Sequence, residues 1–289
     1  MRHAFAPGHV SGLFAVHDEA EDPLQRGSRG AGWSLARGAT ATATAAAATQ
    51  VRIGGQASSA PVTRDALRRM VPGRHFHVDL RLDLPVGQGF GMSAAGTLAA
   101  CLAVAAVADI DPEDALQATH AAEVSAGTGL GDAVGSWFGS GELRIRAGCP
   151  PHGWAMRVDP PEGTEFLFCV AGPGIATPTI VRDETWKRRT RELGDAAVDR
   201  IVAAGRGLAW ERILAESAAF TQGLGLLSEP LQRAADALPG GVVWGQCMLG
   251  TSLWVTGPSD LLAQAAAALA AHGSVLRIPV DANGARLVR

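Results

Sequence analysis

The chain has 289 residues, 47% of them hydrophobic and 18% charged, with a net charge of −3. That length can bury the core of one large or two modest domains, and the slight negative charge excludes an electrostatic footprint for nucleic acid or an anionic membrane. The cysteines Cys101, Cys149, Cys169 and Cys247 form no CxxC pair and no metal-ligand spacing, so buried free thiols in a reducing compartment are expected. With no basic-then-apolar leader, the expected location is cytoplasmic.

Residues 3–16 read as a strand interrupted at Pro7-Gly8, followed by a loop over 18–32 that ends in Gly27-Ser28-Arg29-Gly30-Ala31-Gly32. Strict Ala/Thr alternation from Ala39 to Thr44 has the two-residue period of a strand, which Gly54-Gly55 ends. Pro61–Val71 has the spacing of a short amphipathic helix, and His75–Leu84 is strand-like, with His75 and His77 on one solvated face. An alanine-rich helix begins at Met92 and runs to Ala108, too short and small-residued to cross a membrane. Asp111-Pro112-Glu113-Asp114 is a strong helix start, with an N-cap aspartate, a first-turn proline and acids that complement the dipole. This helix should end at Gly127. Another starts at Gly131-Asp132, and Ser140–Ala147 is expected as a strand.

Cys149-Pro-Pro-His-Gly153 is the best boundary, dividing the chain into 1–152 and 153–289. Beyond it the sequence predicts a strand over 164–171, helices over 183–193, 198–208, 210–224 and 231–237, strands over 242–247 and 252–256, a helix over 261–272 and a final strand. This order suggests an α+β domain with a split β-α-β core. The Arg-rich run from 182 to 191, interspersed with acids, reads as a charged helix face.

The most informative stretch is Pro85-Val-Gly-Gln-Gly-Phe-Gly-Met-Ser-Ala-Ala, lying between a strand and a helix. Glycines admit close backbone approach to an anion, and the free N–H groups at the helix start face it, so a triphosphate is the expected guest. The stretch is not a Walker loop, because the chain's only lysine, Lys187, lies elsewhere. It is not a dinucleotide fingerprint either: Glu113, at about the right distance for a ribose-binding acid, opens a helix. Ser93 can offer its hydroxyl to a phosphate or to magnesium. Glu123, on a helix face of small residues with His120 three positions before it, suits a magnesium-binding carboxylate as well as a solvated helix position. Asp132 could be a helix cap, or a carboxylate that orients or deprotonates an attacking hydroxyl.

Ala6-Pro7-Gly8, the Pro-x3-Gly-x-Gly-x-Ser-Ala-Ala pattern of Pro85–Ala95, Glu123 and Asp132 together resemble the GHMP kinases. Within that family His9, the Gly27–Gly32 segment, Val86–Ser93 and Thr128-Gly-Leu-Gly-Asp132 are similar to the archaeal branch that acts on pantoate. The resemblance implies a two-domain α+β fold, with an N-terminal ribosomal-protein-like domain and a C-terminal ferredoxin-like one. It implies ATP and magnesium as cofactors, with nucleotide contacts at Pro85, Gly87, Gln88, Gly89, Phe90, Gly91, Met92, Ser93 and Ala94 and the metal at Ser93 and Glu123. It makes Asp132 the catalytic residue, places Ser28, His120 and Arg144 around pantoate, and implies 4-phosphopantoate, a coenzyme A precursor, as product. Homoserine, shikimate or mevalonate as acceptor, and a non-catalytic nucleotide-binding protein, remain the alternatives. A homodimer is open on general grounds.

The sequence departs from the common family pattern in three places. Phe90 and Met92 interrupt the usual Gly-Leu-Gly-Ser-Ser, His9 stands where a lysine is common, and the C-terminal glycine motif is reduced to Gly245-Gln-Cys-Met-Leu-Gly250. The first two fit the pantoate branch; the third leaves the phosphate role of that segment open.

Overall fold

The computed structural model describes residues 1–173, 184–205, 207 and 209–288. Two sheets are built from twelve strands among the described residues. In the first, β1 (Arg2–His17) and β2 (Gly27–Ala45) form a long antiparallel pair. β2 also pairs with β5 (Phe76–Leu82) at one end and β6 (Gly141–Arg146) at the other. β3 (Gln50–Ile53) and β4 (Gln56–Ser58) extend the sheet beyond β5, and β7 (Trp154–Val158) extends it beyond β6. β12 (Arg286–Val288) returns to pair with β1. The pairing of β1 with β2 shifts register at Pro7/Gly8, where proline lacks the ladder donor, and again between Ser11 and Leu13.

The alternation in β2 sorts as its period requires: Ala39, Ala41 and Ala43 are buried while Thr40, Thr42 and Thr44 are partly exposed. Against β1 and β2 lies α2 (Met92–Ala108), and on its other side lie α1 (Pro61–Met70) and α3 (Pro112–Ala126). Covered on both sides, α2 is apolar all round, and its alanines admit close packing. The Asp111 carboxylate accepts from the Glu113 N–H at 2.9 Å, and Gly127 ends α3 in the left-handed region, as the capping signals require. The short α4 (Asp132–Phe138) follows.

The second sheet has the order β11-β8-β10-β9, antiparallel throughout, from β8 (Glu165–Val170), β9 (Val243–Gln246), β10 (Ser252–Thr256) and β11 (Ser274–Pro279). β10 lies between β8 and β9, and β8 between β10 and β11, so two β-α-β units are split around each other. Helices α5 (Glu184–Ala204), α6 (Ala209–Leu224) and α7 (Glu229–Asp236) join β8 to β9, and α8 (Ser259–Leu269) joins β10 to β11. The two faces of β8 serve two cores. Phe166 and Phe168 join the main core, where Trp33 stacks on Phe166 at 4.5 Å, while Leu167 and Cys169 pack with α7 and α8.

Three expectations are corrected. Gly27–Gly32 is strand, not loop, and the connection is confined to 18–26; its glycines make room for buried side chains described below. The helices expected over 183–193 and 198–208 are one, α5, because Gly194 is a contact point against the Phe14 backbone and not a break. Arg182, Asp183 and Leu208 lie outside the described residues. The Cys149–Gly153 stretch turns the chain within the first sheet, from β6 to β7, so that sheet extends to Val158 and the division at 152/153 does not mark a change of sheet. The short strands β4 and β12 carry no distinct signal of their own.

Candidate active site

The loop between β5 and α2 depends on glycine: Gly87, Gly89 and Gly91 have φ of 78°, 81° and 60°. It is pressed against two neighbours. The His9 N–H donates to the Phe90 carbonyl at 2.9 Å, and a Cβ on Gly89 would lie 2.5 Å from the Cys247 carbonyl oxygen. Phe90 and Met92 are buried, with the Phe90 ring edge-on to Phe168 at 5.3 Å. Gln88 is also turned inward, donating to the Gly172 carbonyl at 2.9 Å and accepting from Thr251 at 2.7 Å. Ala94 is buried and Pro85 is exposed outside the cleft lining. Of the residues expected to contact a nucleotide, Gln88, Phe90, Met92 and Ala94 therefore have only backbone to offer. The Cys247–Thr251 turn seats under the loop, and a side chain on Gly250 would collide with the Gln88 backbone.

At the start of α2 the Ser93 hydroxyl donates to Glu123 Oε1 at 2.6 Å. Glu123 is buried on α3, and its Oε2 has no hydrogen-bond partner. Burial pushes its carboxyl up to about 7, against the Ser93 hydrogen bond. An ionised, half-satisfied carboxylate beside an anion loop is the environment a hard cation would relieve.

Asp132, first residue of α4, is held from β1. His9 Nδ1 lies 2.8 Å from its Oδ1, and the Ser11 hydroxyl donates to the same oxygen at 3.4 Å. His9 Nε2 lies 3.0 Å from Glu142 Oε2, Glu142 Oε1 accepts from Arg144, and Arg144 Nη2 donates to Ser11 at 3.3 Å. The five side chains close a ring of alternating charge. Burial alone would strip the His9 proton, but the Glu142 and Asp132 carboxylates hold it and raise its pKa to about 9. The glycines of β2 clear space for this ring: a Cβ at Gly32 would lie 2.7 Å from His9 Nε2, and one at Gly30 would lie 2.8 Å from Arg144 Nη2.

A cleft of about 240 Å³ is lined by Val86, the loop glycines, Phe90, Met92, Ser93, Ala94, Glu123, Thr128, Asp132, Met248 and Leu249. A small recess lined by Ser11, Phe14, Ser28 and Gly129–Gly131 adjoins it, and both include Thr128, Asp132, Met248 and Leu249 in their walls. Asp132 is the ionisable group common to the two. Ser28 lines the recess, and a Cβ on Gly131 would fall 2.8 Å from its Oγ and 2.5 Å from Arg144 Nε, an atom without a hydrogen-bond partner. His120 lies outside both linings. Burial lowers its pKa, so it is neutral and donates its Nε2–H to the Arg26 carbonyl at 2.8 Å. A larger surface hollow beside His17, Arg29 and Arg146 holds none of these residues, and its Arg29 is paired with Asp195 at 2.9 Å and Asp199 at 2.6 Å.

Sequence reasoning missed Ser11 and Glu142 and gave His9 no role. The available signal was polar residues two apart in apolar strands, His9/Ser11 and Glu142/Arg144, which share a strand face.

Residues 60–140 match the family of GHMP kinase N-terminal domains. The chain is 23% identical to pantoate kinase of Methanocaldococcus jannaschii, over 96% of this chain and 98% of that protein. It is 34% identical to pantoate kinase of Thermococcus kodakarensis over 51% of this chain and 52% of that one. A solved structure described as a phosphotransferase related to the coenzyme A biosynthesis pathway superposes with a TM-score of 0.84 at 25% identity, covering 99% of this chain and 98% of that one. Among the described residues, no helix is long and apolar enough to cross a membrane.

Proposed function

Since this chain belongs to the GHMP kinases, we propose that it is an ATP-dependent pantoate kinase, converting pantoate to 4-phosphopantoate on the path to coenzyme A. The observation that carries the reading is the place of Asp132, at the junction of a backbone-lined anion cleft and a small recess. The full-length similarity to a pantoate kinase selects the acceptor.

In this reading the backbone N–H groups of Gly87–Ser93 hold the triphosphate. Ser93 and Glu123 are the protein's oxygen donors to magnesium, and the unpartnered Glu123 Oε2 fits that role. Bound there, ATP and magnesium supply the phosphoryl group and the charge that offsets its oxygens. Asp132 aligns the acceptor hydroxyl and receives or passes on its proton. Ser28 lines the recess where the acceptor carboxylate would lie, while Arg144 is buried behind Gly131 and outside the lining, its Nε without a partner. His120 acts through Arg26 on the segment that carries Ser28. The first sheet with α1–α4 is then the ribosomal-protein-like domain and the second sheet the ferredoxin-like one, the change falling after Val158.

The test is a panel of pantoate, homoserine, shikimate and mevalonate with ADP formation as readout. The reading expects turnover with pantoate at the highest kcat/KM. Preference for another acceptor would overturn the substrate, and ATP binding without transfer to any would overturn the enzyme.

A further inference from the structure

We propose that Glu142 is a positioning residue: through His9 it fixes the orientation and the charge that Asp132 presents to the acceptor hydroxyl. This rests on the kinase reading of Asp132.

The geometry itself sets the state of His9. A neutral imidazole has one N–H and one lone pair. Here both ring nitrogens face carboxylates, Nδ1 at 2.8 Å from Asp132 and Nε2 at 3.0 Å from Glu142. A neutral ring would turn its lone pair on one of them, so the arrangement requires an imidazolium donating both ways. The backbone packs closely on the ring at Gly32 and Gly135, where a Cβ would lie 2.7 Å or less from its Nε2. The charged groups facing His9 are Asp132 from α4 and Glu142 from β6, with Arg144 behind Glu142; β2 and the glycine loop face it with glycines and backbone.

The consequence for Asp132 is directional. The hydrogen bonds from His9 and Ser11 both fall on Oδ1, while Oδ2 lies toward Gly129 in the wall common to cleft and recess. With Oδ1 taken up by the His9 and Ser11 hydrogen bonds, Oδ2 is the oxygen left to align the hydroxyl, and the loose transition state of phosphoryl transfer asks mainly for positioning. Glu142 touches neither cleft nor recess. Its influence on Asp132 runs through the imidazolium, whose pKa it raises toward about 9. At this position a histidine can do the work of a fixed cation only with that second carboxylate behind it.

The experiment is the pH dependence of kcat in the full-length enzyme and in Glu142→Gln, at saturating ATP, magnesium and pantoate, beside NMR titration of the labelled histidines. The wild type should keep His9 protonated through pH 8 and lose kcat only toward pH 9 and above. In Glu142→Gln the His9 titration should move down by about two pH units, with about tenfold lower kcat at pH 8. Its kcat should recover to near the wild-type value at pH 6, with the KM for ATP unchanged. A loss of kcat equal at every pH, with His9 titrating as before, would overturn the proposal. If Glu142→Gln does not fold, the wild-type spectra decide: a neutral His9 at pH 7.5 overturns it. Failure of the wild type to phosphorylate any acceptor would break the kinase reading instead, and the spectra would still decide whether Glu142 controls His9.

Discussion

The glycine loop at Pro85–Ser93 and the ring around Asp132 border the same cleft, yet one offers backbone and the other side chains. In the loop, Gln88, Phe90 and Met92 turn into the protein and anchor it to Thr251 and Phe168, leaving backbone as what the loop offers. In the ring, five side chains from β1, α4 and β6 meet through hydrogen bonds, and glycines of β2 only make room for them. A backbone site depends on chain conformation and so on local spacing; a side-chain site depends on which distant residues meet. The two should therefore fail differently when altered.

Asp132→Asn should show the largest effect. Removing the carboxylate should cost about 10²–10⁴-fold in kcat while ATP binding, measured by calorimetry, is retained. Near wild-type turnover would remove Asp132 from the reaction.

Glu123 lies between the two regions and should reveal itself through stability. Its folded pKa, about 7, lies above the ordinary value of 4.5, so the stabilising effect of its protonated form is full below pH 4.5 and lost as pH rises through 7. The ionised form then costs on the order of 3 kcal/mol. Glu123→Gln should lack this decline between pH 5 and 8 in urea unfolding, and should need more magnesium for turnover. His9 adds a decline of the same sign, present below 6.5 and lost as pH rises through about 9.

Gly89→Ala tests the loop as backbone. At φ 81°, with Cys247 in contact, the substitution should cost about 1–3 kcal/mol and raise the KM for ATP more than that for pantoate. The smallest effect is expected for Phe90→Leu, about 1 kcal/mol in thermal unfolding with kinetic constants unchanged. A selective loss of ATP affinity there would mean that Phe90 contacts the nucleotide after all.

Much of the fold was legible where signals are local. Asp111, Pro112 and Gly127 bracket α3, and the Ala/Thr alternation gives the pleat of β2. Glycine misled twice, at Gly27–Gly32 and at Gly194, because it marks a turn or a close contact with equal ease. The return of β7 and β12 to the first sheet left no local trace, since edge pairing is chosen by the rest of the sheet. In the site, Ser93, Glu123 and Asp132 stand out through their motifs. Arg144 was noticed as a substrate contact, but most of its guanidinium is held by Glu142 and Ser11.

The sequence by itself determined the glycine loop and the helix that follows it, because capping, glycine conformation and periodicity act within a few residues along the chain; Ser93, Glu123 and Asp132 were joined to that loop by family resemblance. The tertiary structure alone decided that Phe90 and Met92 belong to the core, that the reduced glycine motif at 245–250 supports the loop, and that His9 is charged. Those outcomes depend on burial and on the approach of groups more than a hundred residues apart, where an imidazole keeps its proton only because two carboxylates meet it.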